Sequence, residues 1–175
     1  MCDLTVKRAC REAQHIHAAY PVTNTETHSL ERITHTLGAK VCFEQLPSNQ
    51  AGFIVKQQHG PFAIIVVNST DIPERQRYTL AHEIGHLVAC RYITDRAAFS
   101  FMDHHGHHKH YTAHECFADA FAGELLMPAI PLLTEISRGS QYSAAVKFGV
   151  TPTAINYRIA LLQKYPPEEL LATKH

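Results

Sequence analysis

The chain has 175 residues, 45% of them hydrophobic, and its 16 Lys+Arg balance 16 Asp+Glu. That length supports a single domain with its own hydrophobic core, and the neutral balance excludes a global pull toward nucleic acid or anionic membrane, so DNA binding would need a local patch. The five cysteines, Cys2, Cys10, Cys42, Cys90 and Cys116, include no C-x-x-C pair, which argues against a disulfide framework and a zinc ribbon.

From the N-terminus, residues 1–7 lack the apolar run of a signal peptide. Two helices are expected, around residues 5–20 and 25–38, the second opening near Thr25 or Thr27 and stopping at Gly38. Residues 40–46 and 52–56 are short β-rich runs separated by the turn composition Pro47-Ser48-Asn49-Gln50. A third strand, 62–68, is continuously apolar and so is expected to be covered on both faces. Its core, 63–67, is too short to span a bilayer, and a soluble, cytoplasmic, reducing setting is expected. Thr70 or Asp71 caps the next helix, whose first turn holds Pro73 and Glu74. Residues 99–111 read as a loop, and a strong helix follows over 112–127, ending before Pro128. Helices over 131–137, 140–149 and 152–164 complete the pattern, with a loosely held tail from Pro166. The fold class is α+β, divided as a core over 1–128 and a C-terminal helical subdomain over 129–175.

The helix after Asp71 carries His82-Glu83-Ile84-Gly85-His86, an H-E-x-x-H pattern. Residues four apart on a helix face the same way, so both imidazoles can reach one zinc ion. Glu83, about 100° round the helix from His82, stands beside the metal where water would bind. In a chain with 14 histidines the motif needs support from its surroundings. A catalytic zinc takes three protein ligands, and the best third candidate is Glu115 on the following helix. Asp119, four residues on, shares its face and can accept the spare N–H of a ligand histidine. Phe117, Ala118, Phe121, Leu125 and Leu126 are left to pack the other faces.

Residues 77–87 with the following Glu115-x-x-Ala118-Asp119-x-Phe121-Ala122-x-x-Leu125-Leu126-Met127-Pro128 resemble the ImmA/IrrE family of bacterial and phage metallopeptidases, over roughly residues 50–128. Asp119 stands where many relatives carry Asn. The resemblance implies a zincin-like core with a small three-stranded sheet, a metal-site helix pair and a helix-turn-helix-like C-terminal element. It implies one gluzincin-like zinc per chain, with His82, His86 and Glu115 as ligands and Glu83 as catalytic base. It further implies cleavage of a helix-turn-helix repressor, switching on phage, mobile-element or stress genes. Glu83 would take a proton from the attacking water and deliver it to the leaving amine. Tyr111, His114 and Tyr142 are the candidates for a second oxyanion donor. An extended substrate would add to a sheet edge, either strand 62–68 or its neighbour.

Other features are read more plainly. The histidines at 104, 105, 107, 108 and 110 are taken as a surface loop that binds metal adventitiously, with a lid as the alternative. Cys90 and Cys116 are taken as small cysteines rather than redox sensors. Ala145, Gly149 and Ile155 have helix-turn-helix spacing, with Asn156 and Arg158 available for DNA contacts. The second of these helices is nearly uncharged, so a packing or substrate-positioning role is favoured. Two competing functions stay open: a non-proteolytic DNA-binding or sensory regulator with a structural zinc, and a toxin–antitoxin-type partner protein. The first does not require Glu83, whereas a peptidase does.

Overall fold

The computed structural model describes residues 2–22, 27–56, 62–90, 92 and 112–171. In chain order these form α1 (Cys2–Ala19), α2 (His28–Thr36), β1 (Ala39–Glu44), β2 (Gly52–Lys56), β3 (Ala63–Asn68), α3 (Pro73–Ala89), α4 (Ala113–Leu126), α5 (Ala129–Arg138), α6 (Gln141–Phe148), α7 (Pro152–Lys164) and α8 (Pro167–Leu171). The class is α+β with a small mixed sheet. Among the described residues, no single helix is long and apolar enough to cross a membrane.

The strand order is β1-β3-β2. β1 runs parallel to β3, pairing Ala39 with Ala63, and β2 runs antiparallel, pairing Gly52 with Val67. The unbroken apolar run of β3 is explained by this central position, with Ile65, Val66 and Val67 buried. A central strand has no free edge, so the expectation that 62–68 itself receives a substrate is corrected. Its neighbours β1 and β2 are the edges.

Asn68 closes β3 and is almost fully buried. Its Oδ1 accepts from Leu46 N, Thr70 N and Thr70 Oγ1. Its Nδ2 donates to Leu46 O, Pro47 O and Gln50 O. One side chain thus fixes the β1–β2 connection and the turn into α3. That helix begins later than expected. Ile72, with extended backbone, takes the N-cap position, Pro73 fills the first turn, and no side chain caps it. Proline has no N–H to leave unpaired there and its φ is already helical. Thr70 instead bonds Asn68, and Asp71 pairs with Arg75.

The core lies where α1 and α3 pack on α4. Phe117, Phe121, Leu125, Leu80, Ile84 and Val6 are fully buried. On the far side, Ser140 forms a capping box with Ser143 at the start of α6, and Gly149 ends that helix at φ 59. A left-handed residue there favours glycine. Thr151 then caps α7 through Ala154 N. As far as residue 171 the tail is better held than composition suggested: α8 buries Leu170, and Lys7 pairs with Glu169 at 2.8 Å. Tyr165 donates to Asp3 of α1.

A second polar knot sits inside the core. Arg158 of α7 is buried and ion-paired with Glu124 of α4. Arg158 Nε also donates to Met127 O at 3.2 Å, and Gln14 of α1 donates to Glu124 at 3.0 Å. This removes Arg158 from the residues available to touch DNA, while Asn156 remains exposed. The sequence could not distinguish the two because a single arginine on a short helix fits either face.

Two predictions follow from these buried polar groups. Asn68→Ala strands backbone groups of Leu46, Gln50 and Thr70, and urea unfolding is expected to show a loss of about 2–3 kcal/mol. Burial pushes the Cys10 thiol up from 9.0 to about 11. Between those values the unfolded chain has lost a proton that the folded chain keeps, so stability should fall as pH rises from about 9 to about 11. Comparing wild type with Cys10→Ala in urea across that range isolates the effect, and equal slopes would refute it.

Candidate metal centre

The site is assembled from two helices that cross closely. On α3, His82 and His86 lie four residues apart, with ring centroids 4.7 Å apart and planes at 80°. On α4, Thr112 caps the helix by accepting from Glu115 N at 3.2 Å, which puts Glu115 in the first turn. A carboxylate is favoured there by the positive end of the helix dipole.

The approach of the helices depends on two small residues. A Cβ added to Gly85 would lie 2.8 Å from Ala118 Cα and 3.1 Å from Ala118 O. Glycine at 85 therefore lets α4 come near enough for Glu115 to reach both imidazoles. A similar contact braces α3 from the sheet side: a Cβ at Gly52 of β2 would meet Thr79 Cγ2 at 2.7 Å.

His82 Nε2 and His86 Nε2 are 3.0 Å apart. Glu115 Oε2 is 3.4 Å from His82 Nε2, and its Oε1 is 3.3 Å from His86 Nε2. Donors about 2.0–2.1 Å from a tetrahedral ion are separated by about 3.3 Å, so this triangle has the dimensions of one face of such a site. Glu115 Oε1 is buried without a hydrogen-bond partner, although His86 is so near. The three groups meet at ligand spacing. His82, His86 and Glu115 could therefore hold a metal ion.

Asp119 stands behind this triangle, its Oδ1 2.9 Å from His82 Nδ1. That contact fixes the proton on Nδ1 and turns Nε2 toward Glu115 and His86. Burial opposes a charge on His82, but hydrogen bonds to Asp119 and Glu115 outweigh it and push its pKa up to about 10. Burial likewise disfavours a charged Glu115, yet the adjoining His82 and His86 imidazoles hold it well below the usual carboxylate range. Glu83 adds its own field at His82 and is almost fully buried. The surroundings thus favour positive charge at the convergence point, the condition a bound cation meets.

The remaining sequence candidates are scattered. His114 is buried on the first turn of α4, Tyr142 is 72% exposed on α6, and Tyr111 and the histidines of 104–110 lie outside the described residues. Cys90 is exposed, and its Sγ donates to His86 O at 3.1 Å. Cys116 is disulfide-bonded, which the lack of a C-x-x-C pair did not anticipate. Tyr78, one turn before His82, also lies on the ligand stripe, and the same four-residue spacing that pairs the histidines marks it in the sequence.

An α+β fold with a two-histidine, one-carboxylate cluster on crossing helices, and a further glutamate beside it, has the architecture of a metallopeptidase. The family model for the IrrE N-terminal-like domain, Peptidase M78, matches residues 34–160, and the chain belongs to that family. No curated protein matches it.

Gly85→Ala tests the close crossing. The added methyl must push Ala118 away, and metal affinity measured by competition with a chelator is expected to fall about tenfold or more while the far-ultraviolet spectrum stays helical. An affinity equal to wild type would contradict the argument.

Proposed function

We propose that the protein is a zinc-dependent endopeptidase, with His82, His86 and Glu115 as ligands, Glu83 as the catalytic base and Asp119 orienting His82. The observation that carries this reading is the convergence of two Nε2 atoms and the Glu115 carboxylate at ligand spacing on α3 and α4. A nitrogen–oxygen donor set suits zinc. When bound, the metal supplies a Lewis acid that polarises the scissile carbonyl and acidifies water. Glu83 takes the proton of the attacking water and passes it to the leaving amine. Its burial keeps that proton from bulk solvent. Asp119 keeps His82 in one tautomer throughout. A substrate running in extended form would add to β2, the edge strand that packs on α3 through Gly52 and Thr79.

The substrate we infer is a helix-turn-helix repressor, supported by the family resemblance. A DNA-binding role draws little support, since Arg158 is buried against Glu124. Co-expression with repressors encoded beside the gene tests the reading. Wild type should cleave one of them, and Glu83→Gln should lose at least about 100-fold in rate while still taking up zinc. Glu115→Ala should lose the metal as well. Zinc at 100 times its Kd should stabilise wild type and Glu83→Gln by about 2.7 kcal/mol. Undiminished cleavage by Glu83→Gln would reject Glu83 as the base, and zinc uptake without cleavage by wild type would reject the peptidase in favour of a structural metal.

A further inference from the structure

α3 and α4 touch backbone to backbone where Gly85 meets Ala118. A contact at one place fixes how far apart two helices lie but leaves them free to turn about it. Glu115 sits three residues before Ala118, or ~4.5 Å along the helix axis. A turn of ~10° on that arm displaces it by ~0.8 Å, several times the ~0.2 Å within which metal–ligand distances are held. A second contact, away from the crossing, is needed to fix the angle.

A stack of rings stands in that place. Tyr92 follows the end of α3, its N–H donating to Ala89 O at 2.9 Å. Its ring stacks on Phe117 of α4, with centroids 6.4 Å apart and planes at 28°. Phe117 is fully buried and stacks in turn on Phe121. Arg8 of α1 lies over the Tyr92 ring, its Cζ 4.0 Å from the centroid, and Glu12 holds that guanidinium at 3.3 Å. A ring that belongs to the turn ending α3 is thus gripped by α1 and by α4. Ring stacking and a cation over a ring are both directional, so they resist rotation where plain apolar burial, which has no direction, does not. Phe117 lies two residues from Glu115, and a turn of α4 that moved the carboxylate would also break the stack.

We propose that Tyr92 is a positioning residue of the metal centre, which acts through Phe117 to fix the angle of α4 and with it the reach of Glu115 to the two imidazoles. The inference rests on the metallopeptidase reading above. The grip is made by the ring, so phenylalanine at this position should serve as well as tyrosine.

Zinc affinity of the full chain, measured by competition with a chelator, tests it without recourse to cleavage. Tyr92→Ala should weaken zinc about tenfold or more, and Tyr92→Phe should match wild type. Arg8→Met, which keeps the stem but removes the charge over the ring, should cost about threefold. Glu115→Asp supplies the other arm of a cycle, keeping a carboxylate while shortening its reach. Because Tyr92 acts through Glu115, Tyr92→Ala should weaken zinc at least about threefold less in the Glu115→Asp chain than in wild type. A ring that only stabilised the fold would give losses that multiply. That result, an unchanged affinity in Tyr92→Ala, or a Tyr92→Phe chain as weak as Tyr92→Ala overturns the inference alone. Should Tyr92→Ala lose its helical far-ultraviolet spectrum, the exposed Arg8 carries the same cycle: the cost of Arg8→Met should vanish in the Glu115→Asp chain, and its persistence there overturns the inference. If wild type takes up no zinc, the metallopeptidase reading falls and takes the inference with it.

Discussion

The contact between Gly85 and Ala118 is the constraint on which the rest of the structure depends. Two helices can share a cluster of short side chains only if their backbones nearly touch. Here one of them carries no side-chain carbon where they cross. Everything around that crossing holds it from outside. β2 presses on α3 through Gly52 and Thr79, and α1 backs α4, where Cys10 Sγ donates to Ala120 O. The large aromatic residues Phe117 and Phe121, stacked with centroids 6.3 Å apart, fill the flank of α4 beside that crossing. Close packing at the crossing and bulky packing beside it set the rotation of the helix, and so the direction of Glu115.

The electrostatic design follows from that rotation. Three carboxylates, Glu83, Glu115 and Asp119, are gathered around the two imidazoles, mostly out of solvent. Burying them costs free energy unless positive charge comes with them. A protonated imidazole provides it in part, and a divalent ion would do so more fully. A cation taken up by these residues would for that reason couple its binding to folding.

Much of this was legible in the amino-acid order, and for a physical reason. Helix periodicity is local, so the pairing of His82 with His86, and of Glu115 with Asp119, could be read without knowing the fold. The three strands and the helices over 140–149 and 152–164 were legible too, since turn residues such as Gly149 mark their ends. What escaped was whatever depends on long-range partners. The apolar run of β3 announced burial but not that both its edges are filled. Arg158 looked like a surface residue because Glu124, its partner, lies far away in sequence. The tail seemed loose because Glu169 and the neighbouring Tyr165 find their partners on α1. At Pro73 two local signals compete: proline at the first helical position puts the cap at Ile72 rather than at Asp71.

The Arg158–Glu124 pair has a consequence for inheritance. Each residue is buried and each carries a charge, so losing either one leaves the other stranded at a cost of about 3–5 kcal/mol. One partner belongs to the helix that presents Glu115, the other to the helix that exposes Tyr157. A lineage cannot exchange its last helices for those of a relative unless both partners travel together or both are replaced by apolar groups. Positions 124 and 158 should therefore change in concert among relatives, and that linkage would tie α7 to the helix that carries Glu115.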